Sequence, residues 1–192
     1  LASVRKTVEI IRRHGTPFAL LHCTSMYPTP YDKVRLGGIS DLQQAFPGAP
    51  VGLSDHSLNI WTCLGAVALG ACILEKHFTI SRDWPGPDVP ISIEPDELAD
   101  MIAGADAIWQ ARGGRKSILA EERPVIDFAY ATVVSIRPIR RGEAFSKDNI
   151  WVKRPGTGPI NADRFEQVLG KRAARDIAAD IHIEPDAVEG LG

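Results

Sequence analysis

The chain has 192 residues, 44% hydrophobic and 24% charged, a soluble globular composition with room for one medium domain or two small ones. Its formal net charge of −2 argues against a nucleic-acid surface. No apolar run approaches the roughly 18 residues of a membrane span and no signal peptide opens the chain, so no membrane contact and a cytoplasmic location are expected. Three cysteines without CxxC spacing, Cys23, Cys63 and Cys72, are expected to be reduced and mostly buried thiols. The chain opens inside an apparent helix without an initiator Met, which reads as a fragment.

Val4, Val8 and Ile11 share one helical face, and Gly15 follows the basic Arg12-Arg13-His14 as a stop. Phe18 to His22 reads as a buried strand ending on the polar Cys23-Thr24-Ser25. Pro28 and Pro30 make Met26 to Tyr31 a stiff loop. A short helix over Ile39 to Phe46 stops at Pro47-Gly48. Val51 to Leu53 is an apolar strand running into Ser54-Asp55-His56. The Ala/Gly-rich stretch from Trp61 to Ala71 is helical, and Cys72 to Leu74 forms the next strand, running into Glu75-Lys76-His77. After the stiff Trp84-Pro85-Gly86-Pro87-Asp88 loop, Pro95, Asp96 and Glu97 open a helix. Leu98, Met101, Ile102, Ala105, Ile108 and Trp109 form its stripe.

This is the strand–helix alternation of a parallel sheet or barrel. It supplies three strands, too few to close a barrel, so the remaining strands are expected in a preceding segment. Residues 115–127 read as a charged linker. From Phe128 onward the pattern changes to short strands, Thr132 to Ile136 and Ile150 to Lys153, with many turns and one helical turn at Phe165 to Leu169. Such a unit of about 65 residues is expected to have little core of its own and to lean on a neighbour.

Strands paired in parallel open their polar ends at one rim. His56 and His77 fall at equivalent strand ends and offer two imidazoles for a divalent metal; the alternative is a hydrogen-bonded histidine at each end. Each has an acid nearby, Asp55 and Glu75. His22 is a candidate third ligand or a supporting residue. Asp88 is either a turn residue or a carboxylate aimed into the rim. Lys76 alternates away from its neighbours and reads as a surface or ion-paired lysine. Ser25, Tyr27 and Ser54 complete the rim. Hydroxyls and imidazoles of this kind suit a small, oxygen-rich, anionic substrate.

Six stretches carry a family resemblance: LLHCTSMYPTPYDKVRLGGISDL (20–42), GLSDHS (52–57), LGAVALGACILEKHFT (64–79), WPGPD (84–88), DFAYATVVSIRPIRRGE (127–143) and WVKRPGTG (151–158). The first four resemble the N-acetylneuraminate (sialic acid) synthases, and the last two their antifreeze-like (SAF) domain. The resemblance implies an α/β fold: the C-terminal portion of a (β/α)8 TIM barrel over residues 1–114, a linker over 115–127, and a small β-rich antifreeze-like (β-clip) domain over 128–192. It implies condensation of phosphoenolpyruvate with N-acetylmannosamine, aided by Mn2+ or Mg2+. On the matching positions, His56 and His77 would hold the metal and Ser54, Ser25 and Tyr27 would surround phosphoenolpyruvate. Asp88 would bind sugar hydroxyls, and Arg154 would reach the N-acetyl group in the partner's site of a domain-swapped homodimer. Many relatives carry Asn where this chain has Ser25. The family's phosphate-gripping lysines and a proposed catalytic carboxylate lie outside the part that this chain resembles, so the chain alone is expected to be inactive. Sister synthases for legionaminate, pseudaminate and spore-coat sugars share these motifs. A different class, an ice- or glycan-binding module, is disfavoured by Arg140, Arg141, Lys147, Lys153 and Arg154 on the small domain.

Overall fold

The computed structural model describes residues 1–191, in two compact units, Leu1–Arg115 and Lys116 onward. The first unit runs α1 (Ala2–Arg13), β1 (Leu20–Cys23), α2 (Tyr31–Val34), α3 (Gly37–Ala45), β2 (Val51–Asp55), α4 (Trp61–Ala68), β3 (Leu74–Lys76) and α5 (Pro95–Ala111). The second holds α6 (Arg123–Ala129), β4 (Thr132–Ser135), β5 (Ile150–Lys153) and α7 (Phe165–Val168). No helix among the described residues is long and apolar enough to cross a membrane.

The three strands of the first unit form a parallel sheet in the order β1-β2-β3. A further parallel bridge, Phe78 with Ile93, carries the pairing past β3. Because side chains alternate across a strand, the sheet has two unlike faces. Leu20, Leu53 and Leu74 face a core shared with Val8, Ile39, Leu42, Phe46, Ala66 and Met101. The opposite face carries Leu21 and Cys23 on β1, Gly52 and Ser54 on β2, and Glu75 on β3. On that second face Cys23 and Glu75 are exposed.

β2 runs two residues past its apolar run, to Asp55, and β3 is displaced from the expected span of Cys72 to Leu74 onto Leu74–Lys76. The physical reason is that the added polar residues find partners: Ser54 donates to Glu75, and Lys76 pairs with Asp55. α4 stops at Ala68 rather than Ala71, where Gly70 turns into the left-handed region at φ +95°. In α5 the expected stripe is half realised. Met101 is buried, whereas Ile102 and Trp109 are exposed. A capping box between Glu94 and Glu97, with Pro95 in its first turn, starts this helix.

The expectation that the second unit has little core of its own is overturned. Val133, Ile139, Phe145, Ile150, Ile160, Val168, Ala173 and Ile183 are each 2% exposed or less and pack together. One antiparallel pair, β4 with β5, accounts for little of this. Isolated bridges do the closing: Val134 with His182, Ile139 with Ile177, Ala144 with Arg172 and Ala173 with Val188. A helix, Arg123–Ala129, spans the expected boundary between the linker and the small domain, with Pro124 in its first turn and an Arg123–Asp127 ion pair at 3.0 Å.

The cysteines also depart from expectation. Cys63 is fully buried, but Cys23 and Cys72 are exposed. Cys23 stands on the face of the sheet that the helices leave bare, and Cys72 precedes β3.

Candidate functional site

The ladder between β2 and β3 pairs Leu53 with Leu74, Ser54 with Glu75 and Asp55 with Lys76. The next step of that register brings His56 beside His77, so the 21-residue spacing of the histidines equals the register offset (74 − 53 = 21). Their rings lie 5.1 Å apart between centroids, edge to face. The Tyr27 ring lies 4.1 Å from that of His56 and 5.9 Å from that of His77.

Each histidine is held by its backbone. The Thr29 N–H donates to the His56 carbonyl at 2.9 Å, and the Ile93 N–H to the His77 carbonyl at 2.8 Å. His56 Nδ1 lies 3.0 Å from the Thr24 carbonyl. A carbonyl only accepts, so Nδ1 carries the proton, and in the neutral ring Nε2 keeps its lone pair. Nε2 has no protein partner among the described residues. Two converging imidazoles, one with its tautomer set in this way, fit a divalent cation with open positions. No group of three or more His, Cys, Asp or Glu side chains gathers as a metal cage among the described residues.

Asp88 caps the turn Val89–Ile91, and its Oδ2 lies 3.7 Å from His77 Nδ1. That is too long for a hydrogen bond. Asp88 is exposed, as are Ser25 and Tyr27. Ser54 is buried and donates to Glu75 Oε1 at 2.5 Å. His22 is not part of this group. It shares the helix-packed face with Leu20, and its Nε2 lies 2.7 Å from the Val34 carbonyl. A Cβ on Gly38 would come within 2.6 Å of its ring, so α3 makes room for it. Strand alternation explains the exclusion: His22 and the rim residues have opposite parity.

Lys76 is ion-paired but not on the surface. Its Nζ lies 2.6 Å from Asp55 Oδ2, and both side chains are 1% exposed. It also donates to the Ser57 carbonyl. The Ser57 hydroxyl donates to Asp55 Oδ2 at 2.9 Å and lies 2.8 Å from the Thr62 hydroxyl. Beneath this cluster, burial first and the Asp55 charge second push the Cys63 thiol up to about 12, and Lys76 pulls it partly back. Cys63 is therefore a neutral packing residue. Glu75 is the residue of the open face whose neighbourhood sequence reasoning missed. Its parity with Ser54 across the 21-residue offset was the available signal.

Arg154 belongs to the second unit, just past β5, and is exposed. Its guanidinium has no hydrogen bond or ion pair among the described residues, whereas the adjacent Lys153 pairs with Asp180.

A family model for the NeuB family matches residues 1–117, which is more than half of the chain. The chain belongs to the NeuB family. A model for the SAF domain matches residues 130–189. The chain is 38% identical over 184 residues to the N,N'-diacetyllegionaminic acid synthase of Campylobacter jejuni, covering 94% of this chain and 54% of the relative. It is 30% identical over 191 residues to the human N-acetylneuraminate-9-phosphate synthase, covering 99% and 53%. Among solved structures, the Bacillus subtilis spore coat polysaccharide biosynthesis protein SpsE matches with TM-score 0.54 at 36% identity, over 98% of this chain and 58% of that one. The N-acetylneuraminic acid synthetase of Leptospira borgpetersenii, solved with citrate, matches with TM-score 0.60 at 38% identity, over 65% and 44%. This NeuB-family chain thus spans about half the length of the curated relatives it matches.

Proposed function

We propose that this chain is the C-terminal part of a synthase that condenses phosphoenolpyruvate with N-acetylmannosamine, releasing N-acetylneuraminate and phosphate. Family membership supports the class. The observation that carries the reading is the His56–His77 ring pair on a sheet face bare of helices, with Ser54 and Glu75 beside it. In the reaction, the methylene carbon of phosphoenolpyruvate forms the new C–C bond to the aldehyde carbon. Water adds at C2, and the C–O bond to phosphate is lost. A divalent cation, Mn2+ or Mg2+, held by His56 and His77, supplies Lewis-acid polarisation of a carbonyl when bound. Ser25, Tyr27 and Ser54 line the phosphoenolpyruvate side. Asp88, a fixed carboxylate at the rim, accepts from sugar hydroxyls.

The relatives differ in the sugar acid named for them, legionaminic, pseudaminic or neuraminic. The second reading is therefore a synthase for a related nonulosonic acid, favoured by the 38% identity to a legionaminic acid synthase. Product mass with each N-acetylated amino sugar separates the two.

Arg154 supports a shared site in a domain-swapped homodimer. Its free, planar set of donors matches an acetamido carbonyl and sugar oxygens, and it competes with no carboxylate of its own unit. The test mixes two inactive proteins, His56→Ala and Arg154→Ala, expressed at the full length of the relatives. If the site is shared, each mixed dimer carries one site with both lesions and one intact site, so activity returns toward about half per mixed dimer. Absence of recovery after proven subunit exchange overturns the swap. Turnover that survives unchanged in both His56→Ala and His77→Ala overturns the metal assignment.

A further inference from the structure

We infer that the buried Asp55–Lys76 pair is a positioning device that sets the separation of the His56 and His77 rings. The inference rests on the proposed use of those rings, but its geometry stands apart from any metal. Lys76 immediately precedes His77, and Asp55 immediately precedes His56. The pair therefore ties together the two strand ends from which the rings project. It lies on the helix-packed face, while the rings lie on the open one, as strand alternation requires.

The turn that follows Asp55 is braced at Ser57. Ser57 N–H donates to Asp55 Oδ1 at 3.2 Å, its hydroxyl donates to Oδ2, and its carbonyl accepts from Lys76. Thr62 in the first turn of α4 joins through the Ser57 hydroxyl. His56 thus sits between two residues, Asp55 and Ser57, that are both anchored to the residue before His77.

Stability alone is a weak explanation for this arrangement. A buried ion pair often contributes no more than apolar side chains of similar volume would. What apolar side chains lack is direction. A carboxylate–ammonium contact with both partners 1% exposed holds one strand end against the other at a defined spacing. Groups hydrogen-bonded to metal-binding histidines typically carry about ten- to a hundredfold in metal affinity; Asp55 and Lys76 bond neither ring and act through the backbone, so their effect is smaller.

The experiment uses the isotope-labelled chain and the double variant Asp55→Asn/Lys76→Met. Asn keeps an acceptor for the Ser57 N–H, and no unpaired charge is left buried, so the variant should fold. Two signals are read: the nuclear Overhauser contact between the His56 and His77 rings, and Mn2+ affinity from site-specific broadening of those rings. The expected result is wild-type secondary structure, a weakened ring contact and Mn2+ affinity lower by up to about tenfold. A folded double variant with both signals at wild-type level overturns the inference. Should the double variant fail to fold, Asp55→Asn alone removes the carboxylate while leaving Lys76 the Ser57 carbonyl, and it should weaken the ring contact and lower Mn2+ affinity severalfold. Unchanged values there overturn the inference equally. Wild-type rings that are in contact but not broadened by Mn2+ refute the metal reading, and the ring contact in the variants then judges the positioning role alone.

Discussion

The first unit is regular and open, and the second is irregular and closed. In the first, a parallel sheet packs its helices on one face and leaves Cys23 and Glu75 exposed on the other. In the second, isolated bridges and turns surround Ile150, Ile160, Val168 and Ile183, none of which is measurably exposed. Regular secondary structure and a complete core are thus separate properties. A parallel sheet satisfies its ladder and still needs cover on both faces, whereas a turn-rich chain can close around a small core. The candidate site belongs to the bare face, where His56 and Ser54 are buried, His77 is half-buried, and Asp88, Ser25 and Tyr27 are exposed.

The comparison breaks if the second unit's core is not its own. Phe145 is 2% exposed and packs among the residues of that core. Phe145→Ala should cost about 3–5 kcal/mol. In chemical denaturation followed by far-UV circular dichroism and amide exchange, the second unit should melt early while the first keeps its midpoint. A common shift of both units would show that the core is shared. A smaller lesion addresses the first unit. A Cβ on Gly52 would lie 2.3 Å from the Ile73 carbonyl oxygen and 2.5 Å from a Leu21 methyl. Gly52→Ala should therefore cost about 1–3 kcal/mol through overpacking, with the loss confined to amides of residues 1–115. An unchanged midpoint would mean that β2 and β3 have slack at this point.

Much of the first unit is legible in the sequence because period-two and period-3.6 patterns report its strands and helices directly. The pairing of His56 with His77 was within reach for the same reason, since a strand–helix–strand step carries a fixed register offset. The burial of Lys76 was not, because a lysine on the helix-packed face looks like a surface residue until its partner is known. Asp55 is distant from it in sequence, and only the ladder brings the two together. The sequence leaves His22 open between a third ligand and a supporting residue, and its strand parity, which puts it on the other face, would have ruled out the first. The core of the second unit escaped because its contacts are isolated bridges between residues far apart in the chain, such as Ala144 with Arg172, which leave no periodic trace.

The smallest expected effect sharpens the comparison at acid pH. In the first unit, the Glu97 carboxyl is held below its ordinary range, chiefly by its hydrogen bond from Arg82. In the second, Glu143 is held low by the Arg140 N–H first, then by Arg137 and Asn149. Both carboxyls bind fewer protons when folded than when unfolded. Each therefore contributes stability that is full above its unfolded value, roughly 4.3 for a glutamate, and that is lost as pH falls through the depressed folded value. Stability should thus drop on acidification below about pH 4.3, in both units and by modest amounts, because these side chains sit near solvent and are screened by salt. Glu97→Gln should flatten the acid limb of the first unit only, and Glu143→Gln that of the second only. Amide exchange resolved by residue and followed from pH 6 to pH 3 reads the two limbs separately. If either substitution flattens both limbs, the two units titrate as one cooperative body, and the contrast between an open unit and a closed one fails as a description of their stability.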